Sequence, residues 1–178
     1  MVYDPIIHGR RYLFGVSGRL YQRNALFYDH ETESLWSQLL SEAVTGPMTG
    51  THLKVLSAEN TTWEAWKARH PNTLVLSFNT GYSRDYSRDP YAGWKFPRRP
   101  ALLVSVGNVK KIYPYFELKK ASGGLVKDRF GGQTIRIIYD DRSQGARVNE
   151  EGKNVTWFAS FLDDLRNFYP KAEVYHAP

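Results

Sequence analysis

Residues 14–39, FGVSGRLYQRNALFYDHETESLWSQL, decide the fold class of this chain. Gly15 and Gly18 bracket Val16-Ser17, and Ala25-Leu26-Phe27-Tyr28 is a short apolar run closed by the polar Asp29-His30-Glu31-Thr32-Glu33. Leu35-Trp36-Ser37-Gln38-Leu39 then alternates apolar and polar residues, as a strand with one buried face does. The stretch reads as two or three strands joined by tight turns.

Moving outward, residues 2–7, a His8-Gly9-Arg10 turn and residues 11–15 form an expected hairpin. On the other side, residues 45–50 (TGPMTG) are dense in turn formers and residues 52–56 alternate as a further strand. Thr61-Thr62-Trp63-Glu64 has the capping-box form with Thr61 as the cap, so a helix is expected to start there. It places Trp63 and Trp66 on one face and stops near Arg69, because Pro71 disfavours helical geometry at His70. Residues 72–77, with Leu74-Val75-Leu76, are expected to resume as a buried strand.

The second half carries apolar residues 101–106, a Gly107-Asn108 turn, a strand at 110–115, and a hairpin of 125–130 with 134–139 framed by Ser122-Gly123-Gly124 and Gly131-Gly132. Residues 157–169 show Phe158, Phe161, Leu162, Leu165 and Phe168 at helical spacing, which predicts an amphipathic helix ending at Tyr169-Pro170. The following Ala172-Glu173-Val174-Tyr175 echoes the stretch after His70-Pro71, and Gly152 with Val155-Thr156-Trp157 echoes Gly9 with Tyr12-Leu13-Phe14, a weak internal repeat. The expected fold is a β-rich α+β domain: antiparallel sheets, two main helices and a possible internal repeat, with residues 1–178 as one domain.

Four motifs in order carry a family resemblance: Phe14-Gly15-Val16-Ser17-Gly18-x-Leu20-Tyr21; Tyr28-Asp29 followed by Ser34-Leu35-Trp36-Ser37-Gln38; Trp63-x-x-Trp66-x-x-x-His70-Pro71; and Asp85-Tyr86-Ser87-Arg88-Asp89-Pro90-Tyr91. The chain resembles the bacterial and archaeal family called domain of unknown function 3179, strongly over residues 1–97 and weakly over 98–178. That family has no assigned activity. Its longer members look exported and carry a Cys-Pro-Leu-Cys segment upstream of the equivalent of Val2-Tyr3-Asp4, and their upstream portion resembles residues 104–139. The resemblance thus implies a short form, natural or truncated, and export if the chain is a fragment; as written, Met1-Val2-Tyr3-Asp4-Pro5-Ile6-Ile7 has no basic n-region or signal-length apolar run, so a cytoplasmic location is expected.

At 178 residues with 42% hydrophobic and 24% charged residues, the composition is that of an ordinary folded domain. No apolar stretch approaches the roughly 20 residues of a membrane-spanning helix. With no cysteine, disulfides, thiolate catalysis and Cys-based metal sites are excluded in this polypeptide. The five histidines form no His-x-His, His-x-x-His or His-x-x-x-His pair, so no metal is expected, and no cofactor motif is present. Neither glycine pair precedes a helix in a phosphate-loop pattern. The net charge of +6 lies in residues 84–129, where eleven Lys and Arg face four Asp and Glu, a local +7. The bases there are scattered pairs without a nucleic-acid motif, so a solvated basic face is expected ahead of nucleic-acid binding.

Ser17, His70 and Asp29 could be written as a triad, but Gly-Val-Ser-Gly between strands is not a nucleophile elbow. A turn role is expected for Asp29 and a helix-end role for His70. Asp140-Asp141 and Asp163-Asp164 are sequence neighbours that point apart, a loop and a solvated helix face rather than an acid–base dyad. Trp36, Trp63, Trp66 and Trp157 are expected in the core. Residues 79–100 form a long irregular segment rich in aromatic residues, and such loops carry function.

The candidate ligand-binding set is therefore His70, Tyr82, Arg84, Tyr86, Arg88, Tyr91 and Trp94: flat apolar walls with arginines for a small anionic or aromatic ligand or an acidic peptide. The competing reading pairs Arg84 with Asp85 and Arg88 with Asp89 and packs the aromatics inward. The expected function is a non-catalytic binding or interaction module. One alternative is a fragment of an enzyme or metal-handling domain whose Cys-x-x-Cys lies upstream. Another is non-specific nucleic-acid binding through residues 84–129.

Overall fold

The computed structural model describes residues 1–75, 77, 79, 81, 85, 87, 88, 99–150, 152 and 154–178. Strands dominate, 46% against 13% helix. In chain order they are β1 (Val2–Tyr3), β2 (Ile6–Ile7), β3 (Arg10–Arg11), β4 (Phe14–Tyr21), β5 (Asn24–Asp29), β6 (Leu35–Ser37), β7 (Glu42–Thr45) and β8 (Val55–Leu56), then helix α1 (Trp63–Arg69). The second half runs β9 (Pro100–Val106), β10 (Val109–Pro114), α2 (Tyr115–Leu118), β11 (Leu125–Phe130), β12 (Gln133–Asp140), β13 (Gly145–Glu150), β14 (Val155–Phe161), α3 (Leu162–Phe168) and β15 (Glu173–Val174).

The first half is built on the antiparallel meander β4-β5-β6-β7, with β2 paired to β3 and β1 to β8. The second half has a four-stranded sheet, β14-β9-β10-β15, and a three-stranded meander, β11-β12-β13. All pairings between these strands are antiparallel except β10 with β15. β9 is the pivot of the molecule. Its sequence, Pro100-Ala101-Leu102-Leu103-Val104-Ser105-Val106, is apolar on both faces because both are covered. Leu102, Val104 and Val106 pack with Val126, Ile135 and Ile137 of the three-stranded sheet. Ala101 and Leu103 pack with Leu162, Leu165 and Phe168 of α3.

The tip of the β11–β12 hairpin seals the first of these layers. A Cβ on Gly131 would lie 2.7 Å from Cβ of Val106, and its φ of +56° is one that glycine adopts freely. Leu39, from the first half, completes the α3 layer. The Tyr169 hydroxyl donates to the Leu39 carbonyl, Asn167 Nδ2 donates to Gln22 Oε1 at 3.0 Å, and the Tyr21 and Phe168 rings meet at 6.1 Å. The two halves thus meet in the α3 layer.

Several sequence expectations change in the structure. Gly15 and Gly18 do not make a turn. β4 runs through both, and its register to β5 shifts between Val16 and Leu20, with Gly18 at φ +71° in the irregularity. The turn lies at Gln22-Arg23, both with positive φ, residues whose types give no turn signal. The helix cap is Thr62, whose hydroxyl accepts from the Ala65 amide at 3.3 Å, rather than Thr61. Of the expected strand at 52–56, only Val55–Leu56 forms.

Residues 73–75 are not a buried strand: Leu74 is 96% and Val75 62% exposed, and Leu76 lies outside the described residues. The expected helix over 157–169 is a strand to Phe161 and a helix only from Leu162, because Val155 to Phe161 pair along the whole of β9. β7, β13 and α2 were not expected, so the described residues hold three α-helices rather than two. Trp36 and Trp157 are core, but Trp63 is 52% exposed. The sheet orders of the two halves differ and display no repeat.

Candidate functional site

Residues of the first three sequence motifs hold one another and their neighbours in place. Asp29 ends β5 fully buried, and its carboxylate accepts from Trp36 Nε1 at 2.8 Å, the Thr32 amide at 2.5 Å and the Thr32 hydroxyl at 2.8 Å. Burial pushes this carboxyl up, but the bonds from Trp36 and Thr32 outweigh it and hold the group below its ordinary value. Ser17 Oγ donates to the Leu26 carbonyl at 2.6 Å and accepts from the Arg19 amide. His70 caps α1: its amide donates to the Trp66 carbonyl at 2.8 Å and its ring stacks on Trp66 at 4.0 Å. Each member of the paper triad is therefore engaged with its own structural partners.

A second buried polar group staples the other half. Lys111 on β10 contacts Asp128 on β11 at 2.7 Å and Glu173 on β15 at 3.1 Å, while the Tyr113 hydroxyl donates to Asp128 at 2.9 Å. Burial works against both charges, yet the pairing lowers the Asp128 carboxyl and raises the Lys111 ammonium. This triad of charges joins three strands that no short loop connects.

Beneath α1 lies a different kind of place. A cleft of about 650 Å³ opens between Ala65 and Arg69 of α1 on one side and Ile138 to Asp141 of the three-stranded sheet on the other. Lys119, which follows α2, and Arg147, on β13, complete its rim, and Gly123-Gly124 form one end. Arg69 is fixed by Glu59, Nη2 to Oε1 at 2.5 Å, and by its own helix, Nε donating to the Ala65 carbonyl at 3.3 Å.

The two carboxylates of the rim are already well supplied. Asp141 accepts from Lys119 Nζ at 2.8 Å and Gln144 Nε2 at 3.0 Å, and these bonds lower its pKa, the Lys119 contact first. Asp140 accepts from the Ser143 hydroxyl at 2.8 Å and the Arg142 amide at 3.0 Å, and the Ser143 bond first, with the charge of Arg147 among smaller causes, lowers it. Three cationic side chains from separate elements thus meet two saturated carboxylates beside the Tyr139 ring.

Of the residues singled out from sequence, His70 stands at the end of the helix that walls this cleft but is not in its lining. Arg88 is described and exposed. Tyr82, Arg84, Tyr86, Tyr91 and Trp94 lie outside the described residues. Asp85 accepts from the Ser87 hydroxyl at 2.5 Å and its amide at 2.9 Å. Arg69, Lys119 and Arg147 were missed. Lys119-Lys120 was visible only as a scattered basic pair, and Arg147 had no place to be put because β13 was not foreseen. Among the described residues, no three His, Asp or Glu side chains gather as metal ligands do, and no helix is long and apolar enough to cross a membrane.

The chain belongs to the family described as Protein of unknown function (DUF3179), whose model matches residues 1–173 and so runs through both halves. Comparison with curated proteins and with solved structures gave no match.

Proposed function

We propose that this chain is a non-catalytic binding module for a small anionic ligand, held in the cleft between α1 and the three-stranded sheet. The observation that carries the reading is the convergence of Arg69, Lys119 and Arg147 on one cleft of about 650 Å³, within the usual range of ligand pockets. An anion there exchanges the solvent-screened Lys119–Asp141 pairing for charge-assisted bonds, with Arg147 able to offer two parallel donors. The Tyr139 ring supplies a flat wall for an aromatic or aliphatic body. Among the described cations of the basic segment outside this cleft, Arg99 pairs with Asp163, Lys120 with Glu117, and Lys111 with Asp128 and Glu173.

The test is a thermal-shift screen of inorganic phosphate, di- and tricarboxylates and a short acidic peptide, followed by titration at two salt concentrations. Binding is expected to weaken with salt and to be lost in Lys119→Ala/Arg147→Ala. A binder whose affinity is unchanged in that double variant but lost in Arg84→Ala/Arg88→Ala would move the site to the 79–100 segment and end the assignment to this cleft.

A further inference from the structure

We infer that the chain has a second, separate binding site, for a small neutral polyhydroxylated molecule of monosaccharide size, in a recess where its two halves meet. Among the described residues, three buried side-chain oxygens lack a hydrogen-bonding partner: Asn24 Oδ1, Thr61 Oγ1 and the Tyr115 hydroxyl. Asn24 and Tyr115 both line a single cavity of about 360 Å³, and Thr61 directly follows Asn60, which lines it too. Folded proteins leave few buried polar atoms unpaired, because such an atom gives up its water and receives nothing in return. Two of them at one recess, with the third beside it in sequence, mark a place whose partner comes from outside the chain. The space is far larger than the roughly 30 Å³ share of one water molecule.

The elements that build the cavity come from both halves. Asn24 opens β5, Gln38 follows β6, Asn60 precedes α1, Tyr115 opens α2 and Ser160 ends β14. Tyr115 is only 5% exposed, and burial, partly offset by the nearby Ala146 amide, pushes its hydroxyl up to about 12, so it stays a neutral donor. The Asn24 amide reaches Gln38 Oε1 through Nδ2 at 3.5 Å, a long contact. Whichever way that amide is turned, one of its two polar atoms is left without a partner. Gln144 also borders the space, but its amide is occupied by Asp141 and by the Tyr139 hydroxyl, so it is wall rather than donor.

The chemistry of the lining selects the ligand class. Carboxamides and hydroxyls each donate and accept, as sugar hydroxyls do, and a ring of them satisfies a polyol without requiring charge. The lining has no Lys, Arg or His side chain to attract an anion, unlike the cleft beneath α1. Leu39, Pro100 and Phe161 give apolar faces against which the C–H face of a sugar ring can lie. This ligand therefore differs in kind from the anion proposed for the cleft beneath α1.

Saturation-transfer NMR on the full chain with D-glucose, D-galactose, D-mannose and myo-inositol at millimolar concentration tests the inference. At least one is expected to bind, and Tyr115→Phe and Asn24→Leu are expected to weaken it about tenfold or more. Tyr115→Phe keeps the ring and decides the matter should Asn24→Leu fail to fold. Without ligand it is expected to melt close to the parent, because the hydroxyl makes no hydrogen bond of normal geometry and only the nearby Ala146 amide bears on it. Saturation transfer from none of the four, or binding unchanged in Tyr115→Phe, would overturn the site. So would a ligand-free Tyr115→Phe that melts well below the parent, since its hydroxyl would then be serving the fold.

Discussion

α1 and α3 have the same length and stop in the same way, yet one lies on the surface and the other holds the core. Each spans seven residues. Each ends on a residue of nearly equal backbone geometry, His70 at φ −132°, ψ 68° and Tyr169 at φ −127°, ψ 63°. In each the cap amide bonds four residues back, to Trp66 or Leu165, and a proline follows. The amides of Thr73 and Ala172 then return to the two cap carbonyls at 3.1 and 2.9 Å. Beyond that point the likeness ends. α3 buries Leu162, Leu165 and Phe168 and delivers β15 to β10, whereas α1 buries no residue and Leu74 and Val75 stand in solvent. Local sequence sets where a helix stops; what it packs against decides whether it matters to stability.

The harshest way to break the comparison is to separate the halves. Leu39 belongs to the α3 layer, so cutting the chain at residue 97 removes a core residue from one half and the cover of Leu39 from the other. Neither fragment, expressed alone, is expected to show a cooperative thermal transition. A sharp transition in the 99–178 fragment would mean that α3 needs nothing from the first half.

Next in size is the direct contrast of the helices. Leu165 is fully buried, and Leu165→Ala is expected to cost about 2–5 kcal/mol in urea unfolding. Trp63, half exposed on α1, should cost no more than about 0.5 kcal/mol as Trp63→Ala. Comparable losses would show that α1 is packed as α3 is.

What the sequence disclosed follows the same division. The β11–β12 hairpin was legible because Gly131-Gly132 supply the positive φ that its turn demands, while Gln22-Arg23 adopt a turn of the same kind with residues that do not announce it. The helix stop before Pro71 was legible for the same local reason. The fate of Leu74-Val75 was not, since an apolar triplet reads the same with or without a strand to pair with. In the 157–169 stretch the aromatic spacing fits a helix, and only pairing with β9 makes its first part a strand. Of the cleft and the cavity, the individual residues were visible but not their meeting, which depends on β13 and on the junction of the halves.

The carboxylates of Asp29 and Asp128 sharpen the contrast through pH. Asp29 is held by neutral donors, and Asp29→Ala, which orphans Trp36 Nε1 and the Thr32 amide, is expected to cost about 2–3 kcal/mol. Both Asp29 and Asp128 have lowered folded pKa values. Their contribution is complete above the unfolded carboxyl value near 4 and is lost as pH falls through the folded value. Lys111, raised in the folded state, contributes fully below the unfolded lysine value near 10.4 and loses that contribution as pH rises through its folded value. Lys111→Met should cost about 1–3 kcal/mol, because Asp128 keeps the Tyr113 hydroxyl and Glu173 is well exposed. It should flatten the alkaline limb of stability against pH, and Asp29→Asn the acid limb. An alkaline limb unchanged in Lys111→Met would locate that dependence elsewhere.

The finest comparison is between the two cap residues. The Tyr169 ring lies by α3 and its hydroxyl crosses to the Leu39 carbonyl in the other half, so Tyr169→Phe removes a bond that joins the halves. The lost bond is worth about 1 kcal/mol, and the burial of the Tyr169 hydroxyl, which pushes it up to about 12, says that little water is at hand to replace it. Among the described residues, the His70 ring meets its own helix, through the stack on Trp66, and its cap amide is backbone that any residue provides. His70→Ala should therefore cost only about 0.5 kcal/mol, the worth of an exposed ring contact. Paired urea titrations of Tyr169→Phe and His70→Ala measure the difference. If His70→Ala proves the costlier of the two, the end of α1 carries a contact beyond its own helix, and the asymmetry between α1 and α3 is smaller than their burial indicates.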